Sequence, residues 1–306
     1  MKRLAIAIVA LALAAGALAA WGGAASSGSS GGAGPTATPK LPKLPALPPD
    51  VKNRHRWVIG VKCDFPPFGF IDVKGENAGY DVEIARAFTQ MAFGRANRIT
   101  LVCVTTPSRI PALMSKRVDI IISTLTYTPA RAQVIDFSTP YYSAVGRLLV
   151  TNNSSISSLR DLGGKTVITT RGSIYATWVR NCFKDSKLLE VDSPSTAVLA
   201  LKNGQGDTFM FDDAFLLGVA TADRDVKLTR DKFLNLPWGI GIRKGETAMK
   251  RWVDAALRHM KKRDEFAGIL RANAPARLVG GFLDRVPRPK NSFAYPVGKD
   301  LTAICP

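Results

Sequence analysis

Histidine is almost missing from this chain. His55 and His259 are the only two in 306 residues, which leaves little scope for imidazole-based metal binding or acid-base chemistry. Cysteine is scarce too: Cys63, Cys103, Cys182 and Cys305 are the full set. No two stand at CxxC spacing, which excludes a zinc ribbon or a thioredoxin-like redox motif. Acidic residues are short, with 24 Asp and Glu against 42 Lys and Arg. The formal charge of +18 favours an anionic partner: nucleic acid, an anionic surface or a small anion. Long apolar runs are missing after residues 4–18, so a multi-span membrane protein does not fit. There is no HExxH and no G-x-S-x-G, and Gly239-Ile240-Gly241 lacks the third glycine of a dinucleotide loop, so no recognisable catalytic set emerges.

What is present begins with Lys2 and Arg3, an apolar run and Ala17-Leu18-Ala19, the order of an export signal over residues 1–20. An uncleaved anchor stays open, since the run approaches spanning length. Cleavage removes two cations and leaves 18 − 2 = +16. Residues 21–50 are Gly, Ala and Ser followed by Pro, without apolar periodicity, and read as a tether. An exported chain permits disulfides. Cys63 and Cys103 end two strand-like runs that as neighbours would bring them together, with buried free thiols an equal alternative. Cys182 with Cys305 would then staple the C-terminal tail.

The remaining length suits roughly two domains. Strands are expected over 56–63, 98–104 and 118–123, with helices from Tyr80, after Ser108 as cap, and after Thr128-Pro129, a natural N-cap and first-turn proline. After Tyr142 the alternation restarts: strands at 148–150, 165–170, 188–191 and 207–211, a helix from Gly172-Ser173 to about Phe183, and another opened by Ser193-Pro194. Residues 235–242 read as a returning strand and 247–270 as one long basic helix. Alternating β and α elements imply two mostly parallel α/β lobes, whose ligands bind outside the carboxyl ends of the strands.

The residues at those ends are Gly60-Val61-Lys62-Cys63-Asp64-Phe65-Pro66-Pro67-Phe68-Gly69-Phe70, Gly79-Tyr80-Asp81-Val82-Glu83, Ser123-Thr124-Leu125-Thr126-Tyr127-Thr128-Pro129-Ala130-Arg131 and Phe137-Ser138-Thr139-Pro140-Tyr141-Tyr142. Their order and spacing over residues 55–275 resemble the bacterial extracellular solute-binding proteins that feed polar amino acids to ABC importers. The resemblance implies an α/β periplasmic-binding-protein type II fold, two lobes joined by two crossover strands near Tyr142 and Pro237, with the ligand in the interlobe cleft. The first lobe then comprises 51–142 and 238–282 and the second 143–237, leaving 283–306 as a tail of unread role. It further implies a monomer outside the cytoplasm that meets a membrane permease and uses neither cofactor nor nucleic acid.

Site roles follow the same resemblance. Arg131 would take the ligand α-carboxylate, which its planar guanidinium matches bidentately, helped by Thr126 and the adjacent main chain and by Gly172 and Ser173 at a helix start, with Ser123 also among the ligand-binding residues. Asp212 would hold the ammonium, with helix capping as its alternative. Phe65, Phe68 and Tyr175 would lie over the ligand. Arg171 faces either the site or solvent. Asp81 is expected to cap the first helix. Lys62, Arg109 and Thr124 point to the acidic-amino-acid binders, and a charge count agrees: three cations against Asp212 net +2, which a glutamate or aspartate of charge −1 relieves better than a neutral zwitterion. Glutamine or cysteine remains an alternative ligand. So does a same-fold enzyme of the cyclohexadienyl or arogenate dehydratase type.

Overall fold

The computed structural model describes residues 41–306; the expected export signal and most of the tether lie outside them. The body begins earlier than composition suggests. Leu44 and Leu47 pack against the core, Pro48 is buried, and a short helix α1 (Pro49–Arg54) follows with Val51 buried. Prolines that read as a tether here set the spacing of leucines that dock.

β1 (Trp57–Lys62) is buried on both faces, as a parallel strand covered by helices must be. A small antiparallel sheet of β2 (Asp64–Phe65), β3 (Gly69–Ile71) and β4 (Asn77–Ala78) leads into α2 (Tyr80–Phe93). Then come β5 (Ile99–Val104), α3 (Arg109–Met114), β6 (Ile120–Ile122), α4 (Pro129–Val134) and β7 (Ile135–Phe137). The second lobe holds β8 (Tyr142–Thr151), β9 (Thr166–Thr170), α5 (Ile174–Cys182), β10 (Lys187–Val191), α6 (Pro194–Lys202), β11 (Thr208–Asp212), α7 (Asp213–Ala222), β12 (Val226–Leu228) and β13 (Phe233–Trp238). The chain returns through β14 (Gly241–Arg243) into α8 (Thr247–Lys262), α9 (Glu265–Asn273) and α10 (Ala276–Leu283).

The first sheet runs β5-β1-β6-β14-β7 and the second β10-β9-β11-β8-β12, with β13 on β8. β5, β1 and β6 are parallel, as are β10, β9 and β11. The two passages between lobes, β8 and β13, pair antiparallel with Tyr142 opposite Trp238 and Ser143 opposite Pro237. An aromatic knot lies there: Tyr142 stacks on Trp238 at 4.6 Å, and Phe68 stands edge-on to both.

Several local expectations are met by named bonds. Thr128 and Ser193, the expected caps, each accept from the backbone N–H three residues on, with Pro129 and Pro194 in the first turn, and Ser173, for which no cap was expected, does the same for α5. Both disulfides form, Cys63–Cys103 beside the β1–β5 ladder and Cys182–Cys305 between α5 and the C-terminal segment.

Others are corrected. The expected strand over 235–242 is two strands in different sheets, divided at Gly239. The single helix over 247–270 breaks at Asp264, whose φ of +58 is left-handed and whose carboxylate is held by Arg288. No glycine or proline marks that break. Ser108 does not cap α3; its hydroxyl instead accepts from Thr105 N–H at 2.8 Å.

Candidate functional site

Arg131 sits in the first turn of α4, placed by the Thr128 cap. Its guanidinium donates to Thr126 O at 2.7 Å in its own lobe and to Gly172 O at 2.9 Å in the other. Gly172 is at φ +73, and a Cβ there would stand 3.3 Å from Pro107 Cα across the cleft. Glycine thus permits both the turn into α5 and the approach of the lobes.

Behind this bridge is a narrow space, about 10 Å³ in volume, lined by Thr106, Arg109, Thr124, Thr126 and Arg131 from one lobe and Ser173, Ile174, Tyr175, Phe211 and Asp212 from the other. Asp212 ends β11 and makes no side-chain cap for α7, so capping is not its role. Its Oδ1 accepts from the Tyr175 hydroxyl at 2.8 Å. Burial raises its carboxyl to about 7, which Tyr175, Arg109 and Arg131 oppose and Asp213 reinforces.

Arg109, buried at the start of α3, donates to Ser123 O at 2.6 Å and Thr124 O at 3.1 Å. Lys62 is fully buried at the end of β1, where Nζ donates to Thr106 Oγ1 at 3.1 Å and pairs with Asp64 Oδ1 at 2.9 Å. Burial pulls its ammonium down to about 8, and Asp64 resists. Burial likewise lowers both arginines from their ordinary range.

The expected residues therefore divide. Arg109, Thr124, Thr126, Arg131, Ser173, Tyr175 and Asp212 converge on one space. Lys62 stands one residue behind it, through Thr106. Ser123 contributes its carbonyl rather than its hydroxyl. The Ser173 hydroxyl is engaged by Ala176 N–H and Thr169, and Tyr175 holds Asp212 instead of offering a free ring face. Arg171 is excluded: its side chain is 57% exposed and pairs with Asp192. Neither expected phenylalanine lines the space. Phe65 packs on Phe211 and Phe215 across the cleft, and Phe68 belongs to the hinge knot.

Three participants escaped the sequence reading. Asp64 lies two residues from Lys62, and in an extended chain i and i+2 share a face, which is the signal that could have paired them. Thr106 follows β5, the parallel neighbour of β1, at the same carboxyl edge. Asp81 is not the cap of α2, since the N-cap is Gly79 without a side-chain bond. It is fully buried, and its Oδ2 accepts from Thr124 N–H at 3.1 Å and Tyr141 hydroxyl at 3.3 Å. Thr124 is at φ +51, a costly conformation for a β-branched residue. Asp81 thus pins the turn whose carbonyls hold Arg109, and burial raises its own carboxyl to about 7.

Chemically, the lining offers one carboxylate, two guanidinium groups and the N-terminal end of α5, without imidazole or thiolate. Such a set suits an ammonium and a carboxylate on one small molecule better than a metal ion.

The family model for bacterial extracellular solute-binding proteins, family 3, matches residues 57–273. The ABC transporter glutamine-binding protein of Bacillus subtilis (strain 168) is 34% identical over 213 residues, 69% of this chain and 78% of that one. The glutamine-binding protein of Geobacillus stearothermophilus is 37% identical over 196 residues, 63% of this chain and 75% of that one. The crystal structure of a cysteine-binding protein from Campylobacter jejuni superposes with a TM-score of 0.72 at 28% identity, covering 74% of this chain and 92% of that one.

Proposed function

We propose, because this chain belongs to the bacterial extracellular solute-binding proteins of family 3, that it captures one polar amino acid outside the cytoplasm and delivers it to the permease of an ABC importer. The observation that carries this reading is the placement of Arg131 and Asp212 in one small interlobe space. A zwitterion's carboxylate meets the guanidinium and the N-terminal turn of α5, and its ammonium meets Asp212. Four charge-assisted bonds at the strong end, about 3 kcal/mol each, leave roughly 8 kcal/mol after an association cost of about 4 kcal/mol, which is roughly micromolar affinity.

For the side chain, the charge count changes once Asp64 and Asp81 enter it. Lys62, Arg109 and Arg131 are balanced by Asp64, Asp81 and Asp212, and Lys62 already has Asp64 at 2.9 Å. A balanced buried cluster accepts a neutral zwitterion without leaving a charge uncompensated. A carboxamide, with both donor and acceptor, also complements the Thr106 hydroxyl, behind which the Lys62–Asp64 pair lies. Glutamine is our first choice, in keeping with the two glutamine-binding relatives. Glutamate is the second reading, and a specific observation favours it: of the two carboxyls raised to about 7, Asp212 is ionised by the incoming ammonium while Asp81 can hold its proton, which leaves the cluster one positive charge in excess.

Isothermal titration of the purified protein with glutamine, glutamate, aspartate, cysteine and arginine tests this. Micromolar binding of glutamine, with glutamate weaker, is expected. A preference for glutamate or aspartate would restore the acidic reading. No binding across the panel would sink the amino-acid clamp and make prephenate turnover the next assay.

A further inference from the structure

We propose that residues 284–306 form a third crossing between the lobes, latched to the second lobe by Cys182–Cys305, which holds the clamp toward closure and slows ligand release. The family match ends at residue 273, so the segment lies outside what this chain shares with the family. It leaves α10 beside the hinge, where Arg285 O accepts from Ser143 N–H at 2.9 Å. It then seats on the first lobe. The Tyr295 ring stacks on Tyr127 at 4.6 Å, and its hydroxyl donates to Ser138 O at 2.6 Å.

Seven residues later the chain is bound to the second lobe. Trp178 Nε1 donates to Ile304 O at 2.8 Å and Asn181 Nδ2 to Thr302 O at 2.9 Å. The disulfide then fixes Cys305 to α5, the helix whose first turn lines the site. Asp300 and Thr302 border a second cavity together with Arg131 and Gly172, so the crossing passes the flank of the cleft where Arg131 bridges it.

The intervening residues 296–300 are coiled rather than taut, with Val297 N–H on Tyr295 O at 2.8 Å and Lys299 N–H on Pro296 O at 3.0 Å. Fully extended, the six steps from Tyr295 to Leu301 reach about 20 Å. A small opening therefore uncoils these turns, and a larger one must unseat Tyr295. Tyr295 and Cys305 act as positioning residues for the site without touching what binds there. Loss of either anchor should appear mainly in the dissociation rate.

The first arm of the test needs no ligand. Small-angle scattering of the wild type is compared with Cys182→Ser/Cys305→Ser, which leaves Cys63–Cys103 intact, and with Tyr295→Ala, which leaves both disulfides intact. Circular dichroism establishes that each variant is folded. Both variants should scatter as more open particles. The second arm rests on the amino-acid reading above: stopped-flow release of glutamine should be about tenfold faster in both variants, with association little changed. Superimposable scattering from wild type and both folded variants, or release within twofold of wild type, overturns the proposal. If the wild type binds no amino acid, the amino-acid reading has failed and the scattering alone decides the crossing.

Discussion

Acidification should weaken ligand binding by an amount the site itself sets. Asp212 must be ionised to receive an ammonium, and burial holds its carboxyl at about 7. The apparent association constant then scales with the ionised fraction, 1/(1 + 10^(7 − pH)), so binding at pH 5.5 should be about 30-fold weaker than at pH 8, or about 2 kcal/mol. The sign follows from linkage: the free site carries a proton that the bound site cannot keep, so affinity rises with pH through 7. Above about 8 the rise should stop, because Asp212 is by then almost fully ionised, while Lys62, with its ammonium pulled down to about 8, has lost about half its charge there. The groups acting on Asp212 are Tyr175, Asp213, Arg109 and Arg131, and neither arginine changes charge in this window. Titration calorimetry at half-unit intervals reads the profile. Asp212→Asn should bind weakly with no slope between pH 5.5 and 8. A flat wild-type profile, or a wild-type slope that survives in Asp212→Asn, would refute the reasoning; in the latter case Asp81 would be the group that titrates.

Two further substitutions separate the remaining ideas. Asp64→Asn leaves Lys62 buried without its carboxylate and should move the glutamate-to-glutamine affinity ratio about tenfold or more toward glutamate; an unchanged ratio in competition titrations would mean that the Lys62–Asp64 pair does not read the side chain. Asp81→Ala removes one of the two acceptors that pin Thr124 N–H, the other being the Tyr141 hydroxyl at 3.0 Å, and should lower affinity about tenfold, whereas Asp81→Asn, which keeps an acceptor oxygen, should recover most of it. Equal losses from the two would show that charge, and not the hydrogen bond to the turn, is what Asp81 supplies.

The elements that positioned the site were legible because parallel α/β topology forces ligands to the carboxyl ends of strands, and those ends carry Lys62, Ser123, Thr170 and Asp212. The caps Thr128 and Ser193, each followed by proline, were legible from local chemistry. What the sequence did not disclose were pairings. By type and position alone Lys62 reads as a free cation, although Asp64 lies on the same face two residues on. Asp81 fits a helix start by its charge, which hid a contact with a turn 43 residues away. The break at Asp264 depends on a remote partner, Arg288, and so carried no local punctuation. The tail resisted reading because it is built on neither repeat nor periodicity, and its anchors are single aromatic and disulfide contacts.

Arg131 offers the sharpest separation of charge from geometry. A guanidinium has five N–H donors in a fixed fork, and here two of its bonds go to Thr126 O and Gly172 O on opposite lobes. That leaves donors for a carboxylate, so bridging the lobes and binding the ligand are additive rather than competing uses. Arg131→Ala removes both and should cost at least about 100-fold in affinity, the value of two charge-assisted bonds, while the Thr128 cap keeps α4 in place. Arg131→Lys restores the charge but gathers three donors on one shorter-reaching atom, which cannot serve two carbonyls and a bidentate carboxylate together. It should therefore recover less than about tenfold of the loss. Recovery to near wild-type affinity in the same calorimetric titration would mean that Arg131 acts as a point charge only, and the lobe-bridging geometry would have no part in binding.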